Sequence, residues 1–132
     1  MGINAIGVFL GTHYAIEAMK SSGENCSIIN RSSTDVQIAE SGLFAYCVSK
    51  GVVTILTKSA ALHCGERGYK IRVNSVYSGH VHTKMTEKEA ADSGMIPAEA
   101  YFKKVGEQHP MGYIGKPMDI AYGDVFILPL MS

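Results

Sequence analysis

Two short apolar runs on either side of one long helical run most constrain the fold of this chain. Residues 27–30 (SIIN) and 71–76 (IRVNSV) predict β-strands, and residues 45–64 between them carry apolar side chains at helical spacing. A crossover of that length requires the strands to pair in parallel, and such crossovers are right-handed. The sequence therefore predicts a β-α-β unit of an α/β sheet.

A further apolar helix is predicted before the first strand, over residues 4–20. Its apolar side chains cover more than one helical face, which indicates a helix that is covered on two sides. Residues 31–42, after the first strand, are polar and have the composition of a loop.

Polar side chains follow both predicted strands and open the helix between them. Ser33 comes after the first strand and Thr83 after the second, while Tyr46 and Lys50 stand four residues apart at the start of the helix. Residues at that spacing lie on one helical face, and open α/β sheets bind ligands beyond the carboxyl ends of their strands. We therefore expect these four side chains to converge on one rim, where they can bind one polar ligand.

Several stretches together carry a resemblance to a known family. They are NRSS at 30–33 and YCVSK at 46–50, followed by SAAL, IRVNSV and SGHVHT. In this order and spacing they resemble the short-chain dehydrogenase/reductase family, in particular bacterial hydroxysteroid and secondary-alcohol dehydrogenases. The resemblance covers nearly the whole chain, from INAIGVF to HPMGYIGKPMDIAY.

The resemblance implies a catalytic group of four residues. Tyr46 matches the family's general acid/base, and Ser33 matches the hydroxyl that binds the substrate oxygen. Lys50 matches the residue that lowers the tyrosine pKa and holds the nicotinamide ribose, and Asn4 matches the asparagine of the family's proton relay. The chemistry agrees, because a phenol with a pKa near 10 becomes a better base at neutral pH when a cation stabilises the phenolate.

The resemblance also implies a nicotinamide cofactor. The cofactor is NAD or NADP, with a slight preference for NAD, although the segment that would decide between them has no match in this chain. The implied cofactor contacts come from Tyr46, Lys50, Gly79, Val81 and Thr83, and Val81 contacts the nicotinamide carboxamide through its backbone.

The implied fold is a partial one. It is a Rossmann-like, doubly wound parallel sheet that lacks the N-terminal nucleotide-binding strands, with their glycine-rich phosphate turn, and the last strand, since the chain ends soon after Pro129. We expect residues 1–132 to form a single partial domain, the catalytic half, with residues 86–108 as a mobile segment on the substrate side. Arg31 stands at a strand position that is usually apolar, and an unpaired charge there would be costly, which predicts an altered site.

Simpler roles compete with each assignment. Asn4 alone would be interpreted as a helix N-cap, Ser33 as a loop or cap serine, and Thr83 as the cap of a following helix. His80 and His82 have the chemistry of zinc ligands, but no third ligand stands at a metal-like spacing, so we predict no metal site.

The composition of the chain indicates its cellular compartment and excludes some classes of binding partner. The chain has 132 residues, of which 46% are hydrophobic and 18% charged, as in ordinary globular proteins. Its formal net charge is zero and it has no basic run, which argues against nucleic acid and anionic membranes as partners. An odd number of cysteines without metal-ligand spacing indicates a reducing compartment, so we expect a cytoplasmic protein. The cysteines are Cys26, Cys47 and Cys64.

The function predicted from the sequence is the interconversion of a secondary alcohol, such as a hydroxysteroid, and a ketone by hydride transfer with NAD(P) and a tyrosine acid/base. The partner is then a small-molecule alcohol or ketone, and the resemblance implies a dimer or tetramer through the helices at 4–20 and 45–64. The alternative is a non-catalytic fragment that keeps these interface helices and lacks the chemistry. The sequence leaves open the substrate and the activity of the 132 residues alone.

Overall fold

The computed structural model describes residues 1–128, so the predicted end at Pro129 lies outside the described residues. A π-helical turn, Gly2–Gly7, runs directly into helix α1. The elements that follow are α1 (Val8–Met19), β1 (Cys26–Ser33), α2 (Asp35–Ile38), a 3-10 turn (Ser41–Leu43), α3 (Phe44–Glu66), β2 (Ile71–Ser78), α4 (Lys84–Asp92), α5 (Ala98–Gly106) and α6 (Pro117–Ile127). Strands β1 and β2 pair in parallel with α3 as their crossover, which confirms the predicted α/β fold.

The chain divides into two compact units. The first is Met1–Tyr77 and the second runs from Ser78 to the end of the described residues. That residues 1–132 form a single partial domain stays a prediction. None of the helices within residues 1–128 is both long enough and apolar enough to cross a bilayer.

The core of the first unit lies where α1 and α3 pack on the two strands. Each aliphatic side chain buried there stabilises the fold by roughly 1.5–3 kcal/mol relative to an exposed position. The cluster contains Ile16, Ile28, Ala60, Cys64, Ile71 and Val73. Helix α3 contributes Ala60 and Cys64, which lie four residues apart on one face of the helix.

A chain of buried hydrogen bonds crosses this core beside the apolar cluster. Asn30, in the middle of β1, accepts from Thr12 Oγ1 of α1 at 3.3 Å. Its amide nitrogen donates to Thr57 Oγ1 of α3 at 3.0 Å. Thr57 in turn donates to the carbonyl of Val53 at 2.8 Å. Because unsatisfied polar groups are costly to bury, these bonds fix the position of both helices along the strand.

Strand β1 continues past the predicted end. The strand was expected over 27–30 with a loop after it, but it extends to Ser33 and a short helix, α2, follows. Ser32 can be buried there because its hydroxyl bonds to Thr54 Oγ1 at 2.8 Å and to the carbonyl of Lys50 at 3.1 Å. Arg31 is exposed, so the expected cost of a buried charge does not arise. Strand β2 is also longer than predicted and ends at Ser78.

The first helix also differs from its prediction. Residues 4–20 were expected to form one helix, whereas Gly2–Gly7 is a π-helical turn and the regular helix begins at Val8. Asn4 lies inside the π-helical turn, so its interpretation as an N-cap is wrong. The outer side of α1 is exposed at Phe9, Leu10 and Tyr14, so this unit by itself covers the helix on one side only.

In the second unit, residues 86–108 contain most of α4 and the whole of α5. Thr83 caps α4, with its hydroxyl accepting from the amide of Thr86 at 3.4 Å and its own amide donating to Thr86 Oγ1 at 2.8 Å. The capping role weighed for Thr83 is therefore confirmed. The mobility of 86–108 stays a prediction.

We predict that Asn30→Ala lowers the free energy of unfolding by about 1–3 kcal/mol, because it leaves the hydroxyls of Thr12 and Thr57 without their shared partner. Urea denaturation followed by far-UV circular dichroism measures the change. Asn25→Ala is the control, because Asn25 is exposed. Equal unfolding midpoints for the two variants would show that the buried bonds contribute nothing to stability.

Candidate active site

Helix α3 carries two of the four predicted catalytic side chains in its first two turns. It begins at Phe44, directly after the 3-10 turn, and Tyr46 and Lys50 lie one turn apart on one face. The ammonium nitrogen of Lys50 is 5.6 Å from the centroid of the Tyr46 ring. This is the close approach of cation and phenol that the spacing predicted.

Lys50 is held from the strand side as well. Its Nζ donates to the backbone carbonyl of Arg31 in β1 at 3.0 Å, so the side chain bridges α3 and the strand. Partial burial lowers the pKa of Lys50 below its ordinary value, and the positive charge of Arg31 lowers this pKa further. One acceptor thus directs the side chain, while burial and the charge of Arg31 disfavour its charged form.

Ser33 ends β1 with its side chain almost fully buried, at 5% exposure. Its hydroxyl donates to Asp35 Oδ2 at 3.0 Å and accepts from the Asp35 amide at 3.3 Å. A serine hydroxyl has one proton and two lone pairs, so these two bonds use the proton and one lone pair. Asp35 was missed from the sequence because it lies in what was interpreted as a loop; its Ser-x-Asp spacing at a strand end was the available signal.

Asn4 reaches the same helix through a residue that the sequence analysis also missed. Its amide Nδ2 donates to Ser49 Oγ at 3.3 Å, and Ser49 Oγ donates to the carbonyl of Tyr46 at 2.7 Å. Ser49 is 1% exposed, so this contact is an interior one. Its position next to Lys50, three residues after Tyr46, was the only signal in the sequence.

The first unit therefore contains all four predicted catalytic residues and links each of them to α3 or to the end of β1. Asn4 contacts α3 through Ser49, and Lys50 contacts β1 through Arg31. Ser33 lies one residue beyond Ser32, which is bonded to the first turns of α3. A hydroxyl, a phenol and an ammonium group are thus carried by adjoining elements of the first unit.

The predicted cofactor residues Gly79, Val81 and Thr83 belong to the second unit. Val81 forms a parallel bridge with Gly115, and its carbonyl accepts from Thr86 Oγ1 at 3.0 Å. The three residues form one extended segment that ends at the cap of α4.

The two histidines of that segment have other neighbours. His80 lies edge-on to the ring of His109, and His82 lies edge-on to Phe102 and 3.8 Å from Glu87. Within the described part of the chain, no group of three or more His, Cys, Asp or Glu side chains could hold a metal ion.

A groove of about 210 Å³ lies between α1 and α3, away from the predicted catalytic side chains. Its walls combine apolar side chains such as Phe9 and Leu56 with His13, Glu17 and His63. The groove opens on the outer surface of the two helices, where several apolar side chains are exposed.

Comparison with known proteins identifies the family. The family model described as enoyl-(acyl carrier protein) reductase matches residues 1–130. The chain is 38% identical over 127 residues to the NADP-dependent (R)-specific alcohol dehydrogenase of Lentilactobacillus kefiri, covering 96% of this chain and 48% of that protein. It is 39% identical over 121 residues to estradiol 17-beta-dehydrogenase 8 of Callithrix jacchus, covering 92% of this chain and 83% of the relative.

The chain belongs to the short-chain dehydrogenase/reductase family. Its fold is also similar to the solved structure of the ligand-free aldohexose dehydrogenase of Thermoplasma acidophilum, with a TM-score of 0.85 and 33% identity over 95% of this chain and 49% of that one. The chain spans about half the length of the Lentilactobacillus and Thermoplasma relatives. Membership of this family of oxidoreductases confirms the resemblance inferred from the motifs.

We predict that Lys50 titrates below the usual lysine pKa of 10.5, because burial and the charge of Arg31 both disfavour the ammonium form. Arg31→Gln should raise the pKa part of the way back, since it removes the charge and leaves the burial. NMR titration of the ¹³Cε resonances measures both values. Arg67→Gln, at the far end of α3, is the control, and an equal shift in both variants would contradict the role of Arg31.

Proposed function

We propose that the whole protein, meaning this chain with any segments that flank it, interconverts a secondary alcohol and a ketone with NAD(P). The observation that carries the proposal is the Tyr46–Lys50 pair, 5.6 Å from ring centroid to ammonium, on a helix whose first turns are bonded to the end of β1. A phenol beside a cation can act as the acid/base when hydride leaves an alcohol carbon or is added to a ketone carbon.

In this proposal Tyr46 takes the proton from the alcohol oxygen during oxidation and returns it during ketone reduction. Lys50 stabilises the phenolate, and its bond to the Arg31 carbonyl keeps the ammonium group beside the ring. NAD(P), when bound, accepts or supplies the hydride. Developing charge on the substrate oxygen would be stabilised by hydrogen-bonding groups held in place before the reaction.

Ser33 is proposed to bind the substrate oxygen by donating its hydroxyl proton. In this structure that proton is donated to Asp35 Oδ2. The proton of an alcohol is the one that Tyr46 takes, and a ketone has none, so Ser33 binds either substrate oxygen by turning its own proton away from Asp35.

Asn4 is proposed as the fourth member of the group. Its bond to Ser49 connects it to the carbonyl of Tyr46, which supports a role in holding the first turn of α3 beside the π-helical turn. Transfer of protons through Asn4 stays a prediction.

For the cofactor, we propose contacts from Tyr46, Lys50, Gly79, Val81 and Thr83. The Lentilactobacillus relative is named as NADP-dependent, which favours NADP over the slight preference for NAD drawn from the sequence. That preference for NAD has no support.

The substrate class is proposed as a secondary alcohol. The names of the relatives refer to an alcohol, a steroid and an aldohexose, so a hydroxysteroid is one candidate within the class. We propose residues 86–108 as the substrate-side segment, since α4 and α5 follow directly from the segment 79–83. Three free cysteines agree with the proposed cytoplasmic location.

A homo-oligomer through α1 and α3 is the second part of the proposal. Helix α3 exposes a stripe of apolar side chains, among them Val48, Val52 and Ile55, on the side opposite its buried residues. The outer side of α1 exposes Phe9 and Tyr14. Exposed apolar patches of this kind are typical of subunit interfaces.

We predict that Tyr46→Phe in the whole protein lowers turnover at least about 100-fold and leaves NADPH affinity nearly unchanged, because the ring remains and the proton donor is lost. Lys50→Ala should impair both, since Lys50 tunes the phenol and binds ribose. Steady-state kinetics and fluorescence titration with NADPH measure the two effects.

Tyr122→Phe is the matched control, because Tyr122 is exposed on α6, outside the proposed site and interface. Turnover of Tyr46→Phe equal to that of this control would refute the acid/base assignment. Full NADPH affinity in Lys50→Ala would refute the ribose contact.

We predict that Ile55→Glu shifts the whole protein towards smaller species in sedimentation velocity, because it puts a charge into the proposed interface. Ile55 is 64% exposed in this chain. Ile38→Glu is the control, since Ile38 is similarly exposed but lies on α2. An unchanged profile for Ile55→Glu would exclude this face of α3 from the interface.

A further inference from the structure

His109, which lies three residues after the end of α5, contacts the segment 79–83. Its Nε2 accepts a hydrogen bond from the backbone amide of His80 at 3.1 Å. Its Nδ1 lies 3.0 Å from the backbone carbonyl of Val105, within α5. Both ring nitrogens are therefore bonded to backbone groups, one in the helix and one in the segment.

These two partners fix the protonation of the ring. A carbonyl oxygen can only accept, so Nδ1 must carry a proton; an amide can only donate, so Nε2 must carry none. His109 is thus the neutral Nδ1–H tautomer, assigned from its hydrogen bonds. Only an acceptor at this position can hold the His80 amide.

Gly79 gives a second, independent observation of the same contact. A Cβ at position 79 would lie 2.7 Å from His109 Nε2 and 3.1 Å from its Cδ2. Such distances are shorter than van der Waals contact, so any larger residue would push the ring away from the His80 amide. Glycine at this position and histidine at 109 therefore depend on each other.

The remaining bonds to the segment come from elsewhere in the second unit. The carbonyl of His80 accepts from the Gly115 amide at 3.0 Å, and the amide of His82 donates to the Gly115 carbonyl at 2.9 Å. Thr86 Oγ1 holds the carbonyl of Val81. His109 holds one further backbone group of the segment, the amide of His80, which lies next to Gly79.

We propose that His109 is a positioning residue for nucleotide binding, holding Gly79–His80–Val81 in the conformation that contacts the nicotinamide. The inference rests on the proposed function, because it takes the segment 79–83 as a cofactor contact. His109 itself touches the backbone and reaches the cofactor only through it.

The first experiment compares His109→Ala with His109→Gln in the whole protein. Losing one hydrogen bond and its orientation should raise the NADPH dissociation constant about tenfold in His109→Ala. Turnover at saturating NADPH should change less, because no catalytic side chain is altered. The side-chain carbonyl of Gln can accept from the His80 amide, so His109→Gln should restore most of the affinity. Unchanged affinity in His109→Ala, or no rescue by Gln, would overturn the proposal.

The second experiment is a double-mutant cycle with Gly79→Ala. In the wild-type background the added methyl group should displace the ring and weaken NADPH binding. In the His109→Ala background the space is free, so the same substitution should have little further effect. Additive effects of the two changes would show that the contact between position 79 and His109 plays no part in binding.

A measurement that needs no cofactor distinguishes failure of this inference from failure of the proposed function. ¹⁵N NMR of the whole protein distinguishes an Nδ1–H from an Nε2–H imidazole, and Nδ1–H is expected for His109. An Nε2–H ring would overturn the positioning contact even if NADPH binds. If the wild-type protein binds neither NADPH nor NADH, both are overturned, whereas nucleotide binding that is indifferent to His109 would overturn this inference alone.

Discussion

The candidate active site depends on buried polar contacts that fix how far α3 lies along β1. Asn30 bonds to Thr57, and Ser32 bonds to Thr54 and to the carbonyl of Lys50. Apolar packing alone tolerates small shifts of a helix on a sheet, because it has no direction. Hydrogen bonds between buried groups do not tolerate such shifts, since a shift of one residue would leave several donors and acceptors unsatisfied. These contacts therefore set the position of α3.

The position of α3 in turn determines what Lys50 can do. Its backbone carbonyl is bonded to Ser32, and its ammonium group returns to the carbonyl of Arg31, so the side chain folds against the strand end. In that arrangement the ammonium is near the Tyr46 ring and partly removed from water. Partial burial weakens dielectric screening and thus strengthens the influence of the cation on a nearby phenol.

The sequence predicted elements and residue pairs that depend on spacing. The parallel strands, the crossover helix and the Tyr46–Lys50 pair all follow from periodicity, and the structure contains them. Features that depend on side-chain partners distant in sequence were not predictable. The burial of Ser32 needs Thr54, and the π-helical turn is supported by a contact from Asn4 to Ser49, 45 positions away. Local patterns cannot reveal such partners.

Ser33 shows why a motif names a residue without specifying its chemistry. The motif supplies a hydroxyl at the end of β1, but the direction of its proton is set by Asp35, which stands two residues further on. The carboxylate accepts the only proton and the Asp35 amide donates to one lone pair, so both bonds of this hydroxyl are made within the turn after β1. Beside an apolar residue, the same serine would have its proton free to donate elsewhere. The neighbour at position 35 therefore sets the direction of the Ser33 proton, which the motif alone does not specify.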